Sequence, residues 1–474
     1  MPKAGSNEVT IDRTAPRHVL RVGLICASLA LVPFSAAAET LTDALIDAYR
    51  NSNLLEQNRA VLRAADEDVA LAVSALRPTL DFITDLRGDL IDQSATPRTD
   101  DLNDLSATFS LAARIVLLDS GQRGLEIDVA KETVLATREA LRVVEQNVLL
   151  TAVDAYFSVL SAQAFVELGE NNVRLIGEEL EAARDRFEVG EVTRTDVALA
   201  ESSLAAARSN LAASRGDLET ARQEFRTAVG RLPGDLQLPP TIPSVADTLD
   251  EAVGIAARLH PDIKRAQREV TVSDLSVDIA SRAYGPTISA TGQISTDNTG
   301  NEQQIVGLEF RQPIYSGGRL AALERQAIAR ADQTRASLHQ TTIEIKERVR
   351  VAWSRVAVAQ AQIAATEQQI RAAEIAFEGT REEARLGART TLDVLDAEQD
   401  LRNAQASRIE AVAQRYFAIY SLLSSMGLLT VEHLNLGVPT YDPAAYYNAV
   451  ENAPARHSAQ GQALDRVLQR IGRE

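Results

Sequence analysis

Two kinds of hydrophobic pattern succeed one another along this chain. In short stretches, apolar and polar residues take turns one by one. Leu105, Ala107, Phe109, Leu111, Ala113 and Ile115 alternate with Asp104, Ser106, Thr108, Ser110, Ala112 and Arg114. Ile288, Ala290, Gly292 and Ile294 alternate with Thr287, Ser289, Thr291, Gln293 and Ser295, and Val306, Leu308 and Phe310 with Gly307, Glu309 and Arg311. A period of two belongs to strands with one apolar and one polar face. It predicts strands over 104–116, 286–295 and 304–314. A weaker strand is expected over 79–88, where Leu80, Phe82 and Leu86 fit and Ile83 does not. Pro78 and Pro286 mark the helix-to-strand joints, where a missing N–H costs least. The polar stretches 89–103 and 296–301 read as exposed loops between paired strands.

Elsewhere the apolar residues step by threes and fours. Leu141, Val144, Val148, Ala152, Ala155, Val159, Ala162 and Val166 form one series, and Leu338, Ile345, Val349, Ala352, Val356, Ala359 and Ile363 another. This is the seam of long packed helices, with alanines permitting close approach. No proline lies between Gly121 and Val189, so a helix roughly 100 Å long is expected there. Return helices should start near Thr193 and Thr390 and end near 232–234 and Gly427.

The two patterns recur as a unit. Gly190-Glu191-Val192-Thr193-Arg194-Thr195-Asp196-Val197 returns as Gly387-Ala388-Arg389-Thr390-Thr391-Leu392-Asp393-Val394, and Leu118-Asp119-Ser120-Gly121 returns as Tyr315-Ser316-Gly317-Gly318. Both are shifted by about 197 positions, so the interval between the two motifs has a fixed length, as in an architecture built from two similar halves. The expected layout is a first repeat over 39–238 with its hairpin tip near 190. A Pro-rich linker (239–246) leads to a second repeat over 247–429 with its tip near 387. A segment over 430–452 and a polar, poorly ordered tail over 453–474 complete it. His260-Pro261 reads as a helix break matching Asn53.

Composition narrows the setting. Arg13, Arg17 and Arg21 precede an apolar run too short to span a membrane, followed by Ala36-Ala37-Ala38, so residues 1–38 read as a cleaved export signal. Cys26, the only cysteine, falls inside it without the small residue that precedes a lipidated cysteine. The remainder holds neither disulfides nor thiolate metal sites, and no helix of spanning length is expected in it. A formal charge of −17 argues against nucleic acid as a partner. The histidines are scattered without metal-like spacing, and no phosphate-binding loop is present. No metal, cofactor or catalytic constellation is therefore expected, and the chain reads as a non-enzyme. Four strands with one apolar face are too few to close a barrel, which needs about eight. Several chains contributing strands to one outer-membrane barrel would satisfy them. The alternative is a soluble sheet packed on helices.

The order of elements, the turn Gln312-Pro313-Ile314-Tyr315-Ser316-Gly317-Gly318-Arg319, and Thr391-Leu392-Asp393-Val394-Leu395-Asp396-Ala397-Glu398 together resemble the TolC family of outer-membrane efflux and secretion ducts. The segment 430–450, with Gly437-Val438-Pro439-Thr440-Tyr441-Asp442-Pro443, is similar to that of the non-lipidated members. The resemblance implies an α+β, mainly α homotrimer. Four strands per chain would form a twelve-stranded barrel in the outer membrane of a Gram-negative bacterium, continuous with a periplasmic helical tunnel. It also implies partners: a periplasmic adaptor and an inner-membrane transporter of the RND, ABC or MFS type, whose docking opens an entrance closed at rest. A periplasmic adaptor and a structural coiled-coil surface protein are the competing readings. An adaptor normally has one hairpin rather than two, and an adhesin has no duplicated strand pairs.

The entrance residues follow from the same resemblance. Asp393 and Asp396 match the family's entrance aspartates, which in a trimer make acidic rings that favour cations. Asp396 has Leu199 as its counterpart, so one hairpin alone carries the second carboxylate. Arg389 matches the arginine that ties the inner hairpin to its neighbours, with Thr195 and Asp196 as partners. Ala384 stands where the type member has a tyrosine paired with the equivalent of Asp196. Helix capping is the competing role for Thr193, Thr390, Thr391 and the acids three residues beyond the caps. Gly190 and Gly387 supply left-handed turns at the tips where an adaptor would dock. Gly121, Pro313, Gly317 and Gly318 shape the strand-to-helix turns, and the first of these turns lacks the proline of the second.

Overall fold

The computed structural model describes residues 39–88, 105–243 and 245–471. The export signal with Cys26 and the first inter-strand loop lie outside the described residues. Two helices, α1 (Leu41–Asn51) and α2 (Asn53–Ser74), lead into strands β1 (Thr79–Gly88) and β2 (Leu105–Leu118). The hairpin α3 (Gln122–Glu188) and α4 (Arg194–Val229) follows. The second half repeats this order with α5 (Leu249–Leu259), α6 (Pro261–Arg282), β3 (Thr287–Asp297), β4 (Glu302–Arg311), α7 (Arg319–Arg385) and α8 (Thr391–Ser425). The α1–α2 break is capped by Ser52, and the α5–α6 break by His260, whose Nδ1 accepts the Asp262 N–H at 3.2 Å.

Helices α3 and α7 each have 67 residues, roughly 100 Å at 1.5 Å per residue. One stretch of α3 is long and apolar enough to cross a membrane, contrary to the expectation of no such helix. Half of that window is buried, and it has a different job: Leu149, Ala152, Val153, Tyr156, Phe157 and Val159 form the main core with α1, the end of α4 and the segment after α8. Tyr156 is fully buried and its hydroxyl lies within hydrogen-bond distance of the carbonyls of Glu39 (2.9 Å) and Gln237 (2.5 Å), pinning the start of the described chain to the segment just before the linker.

The four strands form one antiparallel sheet in the order β1-β2-β3-β4. Its register aligns Phe82 with Leu111 and Leu111 with Ile294, and Ala290 with Leu308, so one face is mainly apolar up to the row that ends on Gln304. That face is bare: Phe82 is 71% exposed, Leu308 70% and Val306 93%. On the opposite face Ser110, Ser289 and Ser295 are buried. A soluble sheet does the reverse, and no helix covers the apolar face among the described residues. The strands end near their expected positions, but β4 stops at Arg311, leaving Pro313 in the turn, and β3 runs to Asp297.

The strand-to-helix turns explain the missing proline. Ser120 (φ 60°) and Gly121 (φ 83°) adopt the left-handed conformations of Gly317 (φ 61°) and Gly318 (φ 84°). A serine is strained there; its Oγ donates to the Pro286 carbonyl at 2.9 Å. Asp119 adds bonds from the Gly121 and Arg123 N–H groups and from Arg123 Nε (2.6 Å). Side-chain bonds hold the first turn where proline and glycine shape the second.

After α8 the chain joins the main core through Leu429, Val431 and Leu436, then forms α9 (Pro443–Val450). The tail expected to be poorly ordered contains a helix instead, α10 (Ala459–Ile471), capped by Ser458. Its apolar residues at a spacing of three and four were diluted by Gln, Arg and Gly in the composition of the segment.

Candidate functional site

The distant ends of the two hairpins are built alike. Gly190 (φ 81°) and Gly387 (φ 76°) end α3 and α7 in the left-handed conformation. Behind them the Glu191 N–H donates to Arg186 O and the Ala388 N–H to Glu383 O, both at 2.8 Å. Thr193 and Thr390 then start the return helices with capping boxes. In the first, Asp196 Oδ2 accepts the Thr193 N–H (2.8 Å) and hydroxyl (2.7 Å). In the second, Asp393 Oδ2 accepts the Thr390 N–H and hydroxyl, both at 2.8 Å. Both threonine oxygens accept the N–H of the acid three residues on. These bonds hold both carboxyls below their ordinary range. Thr391 is no cap: it is buried and its hydroxyl has no partner.

Asp396 lies one turn beyond Asp393 on the exposed face of α8, outside the capping box. The two acids are therefore brought onto one face, with Asp400 continuing it. Arg389 Nε donates to Glu383 Oε2 at 2.9 Å within its own hairpin. Within this single chain Arg389 is not joined to Thr195 or Asp196. Thr195 is exposed and Asp196 is held in its box.

What ties one hairpin to the other is a set of residues that sequence reading missed. Arg186 Nη1 donates to the Ala384 carbonyl at 3.4 Å, a tie from α3 to α7 through the backbone of that residue. Arg381 Nε lies 2.7 Å from Glu179 Oε1 and its Nη2 3.9 Å from Glu178 Oε2. Leu395 packs with Ile176, Leu180 and Ala183. Above it Glu398, only 5% exposed, meets the amide of Asn172, itself buried. Burial pushes the Glu398 carboxyl up to about 7, against the opposing pull of Arg402. The seam thus runs along α3 at Asn172, Ile176, Glu179, Ala183 and Arg186, a helical stripe of alternating polar and apolar contacts. A signal existed in the charged residues at these spacings, but nothing in the sequence said which helix they face.

Among the described residues no cluster of His, Cys, Asp and Glu suits a metal ion. The arrangement is one of walls and ties: apolar sheet face outside, long helices, and acid-bearing ends held by polar contacts.

The sequence model of the family described as outer membrane efflux protein matches residues 45–231 and 253–428, one segment in each half. The outer membrane efflux protein BepC of Brucella suis biovar 1 (strain 1330) is 34% identical over 445 residues, covering 92% of this chain and 96% of that protein. The outer membrane protein TolC of Vibrio cholerae (serotype O1, El Tor Inaba N16961) is 24% identical over 421 residues, covering 86% and 94%. The solved structure of CusC superposes with a TM-score of 0.73 at 20% identity, covering 82% of this chain and 92% of that one.

Proposed function

The chain belongs to the outer membrane efflux protein family, and from that premise we propose that three copies form an exit duct across the outer membrane and periplasm. The carrying observation is the sheet: it exposes its apolar face, shelters small polar residues on the other, and leaves β1 and β4 unpaired at its edges. An open strand edge seeks a partner. Pairing β4 of one copy with β1 of the next consumes both edges, and three copies give twelve strands, enough to enclose an aqueous lumen lined by the polar face. The helices favour the same assembly. Ile343, Val351 and Val358 make an exposed apolar stripe on α7 at seven- to eight-residue spacing, suited to a neighbouring copy.

In this reading the duct is passive, with no catalytic step. Cargo for efflux or type I secretion enters at the hairpin ends. An inner-membrane transporter and a periplasmic adaptor dock at the tips around Gly190 and Gly387 and supply the opening force. Asp393 and Asp396, repeated in three chains, give two acidic rings that favour cations. Arg389, released from Glu383, becomes available to Thr195 or Asp196 of a neighbouring hairpin. The adaptor and coiled-coil readings lack support from the bare sheet face and from a family match spanning both halves.

Single-channel conductance in planar bilayers tests this. Wild type should give a small, cation-selective conductance. Asp393→Asn with Asp396→Asn should lose the selectivity while folding normally, because the asparagine amide oxygen still accepts the Thr390 bonds. A folded protein that makes no channel would sink the duct, and a mutant with unchanged selectivity would remove these two residues from the entrance.

A further inference from the structure

The C-terminal strap has no part in the duct just described. It climbs α2 from the main core: the Arg138 side chain donates to Pro443 O at 3.2 Å, and Tyr446 OH donates to Glu67 Oε1 at 2.8 Å. Arg77 then grips it, donating to Ala453 O (2.7 Å) and Asn452 O (2.5 Å). Arg77 immediately precedes Pro78 and β1, so the strap reaches the level at which helix gives way to strand. There it turns into α10, whose Gln460 reaches back to Ala449 O at 2.8 Å.

Helix α10 is amphipathic, and among the described residues nothing packs on its apolar side. Leu464, Val467 and Leu468 share one side by their spacing, and Val467 and Leu468 are 48% and 38% exposed. None of the hydrophobic clusters includes a residue of α10. Thirteen residues are too few for a stable helix alone in water, so its apolar side needs a surface. The charge of the segment is opposite to that of the protein. From residue 453 onward Arg456, Arg466, Arg470 and Arg473 outnumber Asp465 and Glu474, in a chain of net charge −17. Arg456 lies 3.9 Å from Asp465, offsetting that acid.

We propose that α10 is an interfacial helix lying on the periplasmic leaflet of the outer membrane. Its leucines and valine enter the boundary between headgroups and acyl chains, and its arginines meet phospholipid phosphates. The proposal rests on the outer-membrane reading above and gives the barrel a second hold on lipid, a collar at its periplasmic rim.

The test uses the full chain in vesicles of phosphatidylethanolamine and phosphatidylglycerol with brominated acyl chains. Single cysteines replace Val467, Leu468, Gln469 or, on β4, Leu308, in a protein lacking other cysteines after export, and carry an environment-sensitive fluorophore. The bromines should quench Val467→Cys and Leu468→Cys by about two-fold or more, as they quench Leu308→Cys, and should leave Gln469→Cys nearly unchanged. Quenching at Leu308→Cys alone overturns the proposal and leaves the barrel standing. Labels at 467 and 468 shielded from both bromines and aqueous iodide would mean that a second copy covers the helix, which also overturns it. An unquenched Leu308→Cys removes the outer-membrane premise itself.

Discussion

Asp393 accepts the Thr390 N–H and hydroxyl through one oxygen, so its replacement by alanine would remove a helix cap together with a charge. The matching threonine of the other hairpin gives the clean measure of capping. Thr193→Ala should loosen the start of α4 by about 1 kcal/mol, seen as faster amide exchange over the first turn with little change elsewhere. Because capping depresses the Asp196 pKa, that support is present above the ordinary carboxylate range and fades as pH falls through the lowered value. Glu398 behaves in the opposite sense. Its carboxyl is raised to about 7 by burial, so the folded state holds the proton more tightly than the unfolded chain. Its contribution is complete below the ordinary glutamate value and is lost as pH rises through about 7, by up to about 3 kcal/mol. Glu398→Gln keeps a neutral partner for Asn172 and should flatten the fall in Tm between pH 5 and 8. An unchanged slope would show that Glu398 does not titrate in this range. His260 has the reverse slope again. Burial lowers it to about 4, and its neutral Nδ1 caps α6, so its support disappears as pH falls from its ordinary value toward 4.

At the scale of the element, the proposed duct would owe the closure of its ends to the seam between α3 and the second hairpin. Glu179 is buried and depends on Arg381. Arg381→Ala strands that carboxylate and should weaken the seam by about 1.5–3 kcal/mol, the range for a hydrogen bond to a charged group. The expected readout is a larger or more often open channel, with the barrel and Tm little altered. Arg381→Lys should restore part of the closed behaviour. A variant as closed as wild type would show that contacts between chains, not this tie, hold the entrance. The duplication made the hairpins legible, including their tips and caps, but it could not reveal the seam. Arg184 and Glu201, the first-half counterparts of Arg381 and Glu398, bond to each other at 2.6 Å within one hairpin. Their second-half counterparts instead turn to α3. Equal residues at equal positions acquire different partners because α3 lies beside one hairpin and not beside a copy of itself.

At the scale of the whole molecule, the sheet decides the environment. Leu308 sits on the bare apolar face, so Leu308→Arg places a charge in lipid at a cost of about 2–4 kcal/mol near mid-bilayer. It should reduce the amount of protein recovered in the outer membrane, whereas Gln293→Arg on the polar face should not. Equal loss from both would contradict the assignment of faces. Strands, long helices, turns and their doubling were all determined by the sequence itself, since period, proline and glycine act through local sterics and hydrogen bonding. The exposure of the apolar sheet face was not: a soluble sheet packed on helices stayed open until the fold showed no helix over that face among the described residues. Tertiary structure alone decided the use of the apolar stretch of α3 as core, the ties of Glu179, Glu398 and Arg186, and the course of the strap past Arg77 to α10. Those depend on which surfaces meet across more than a hundred residues of chain, and a burial partner at that separation leaves no period in the sequence.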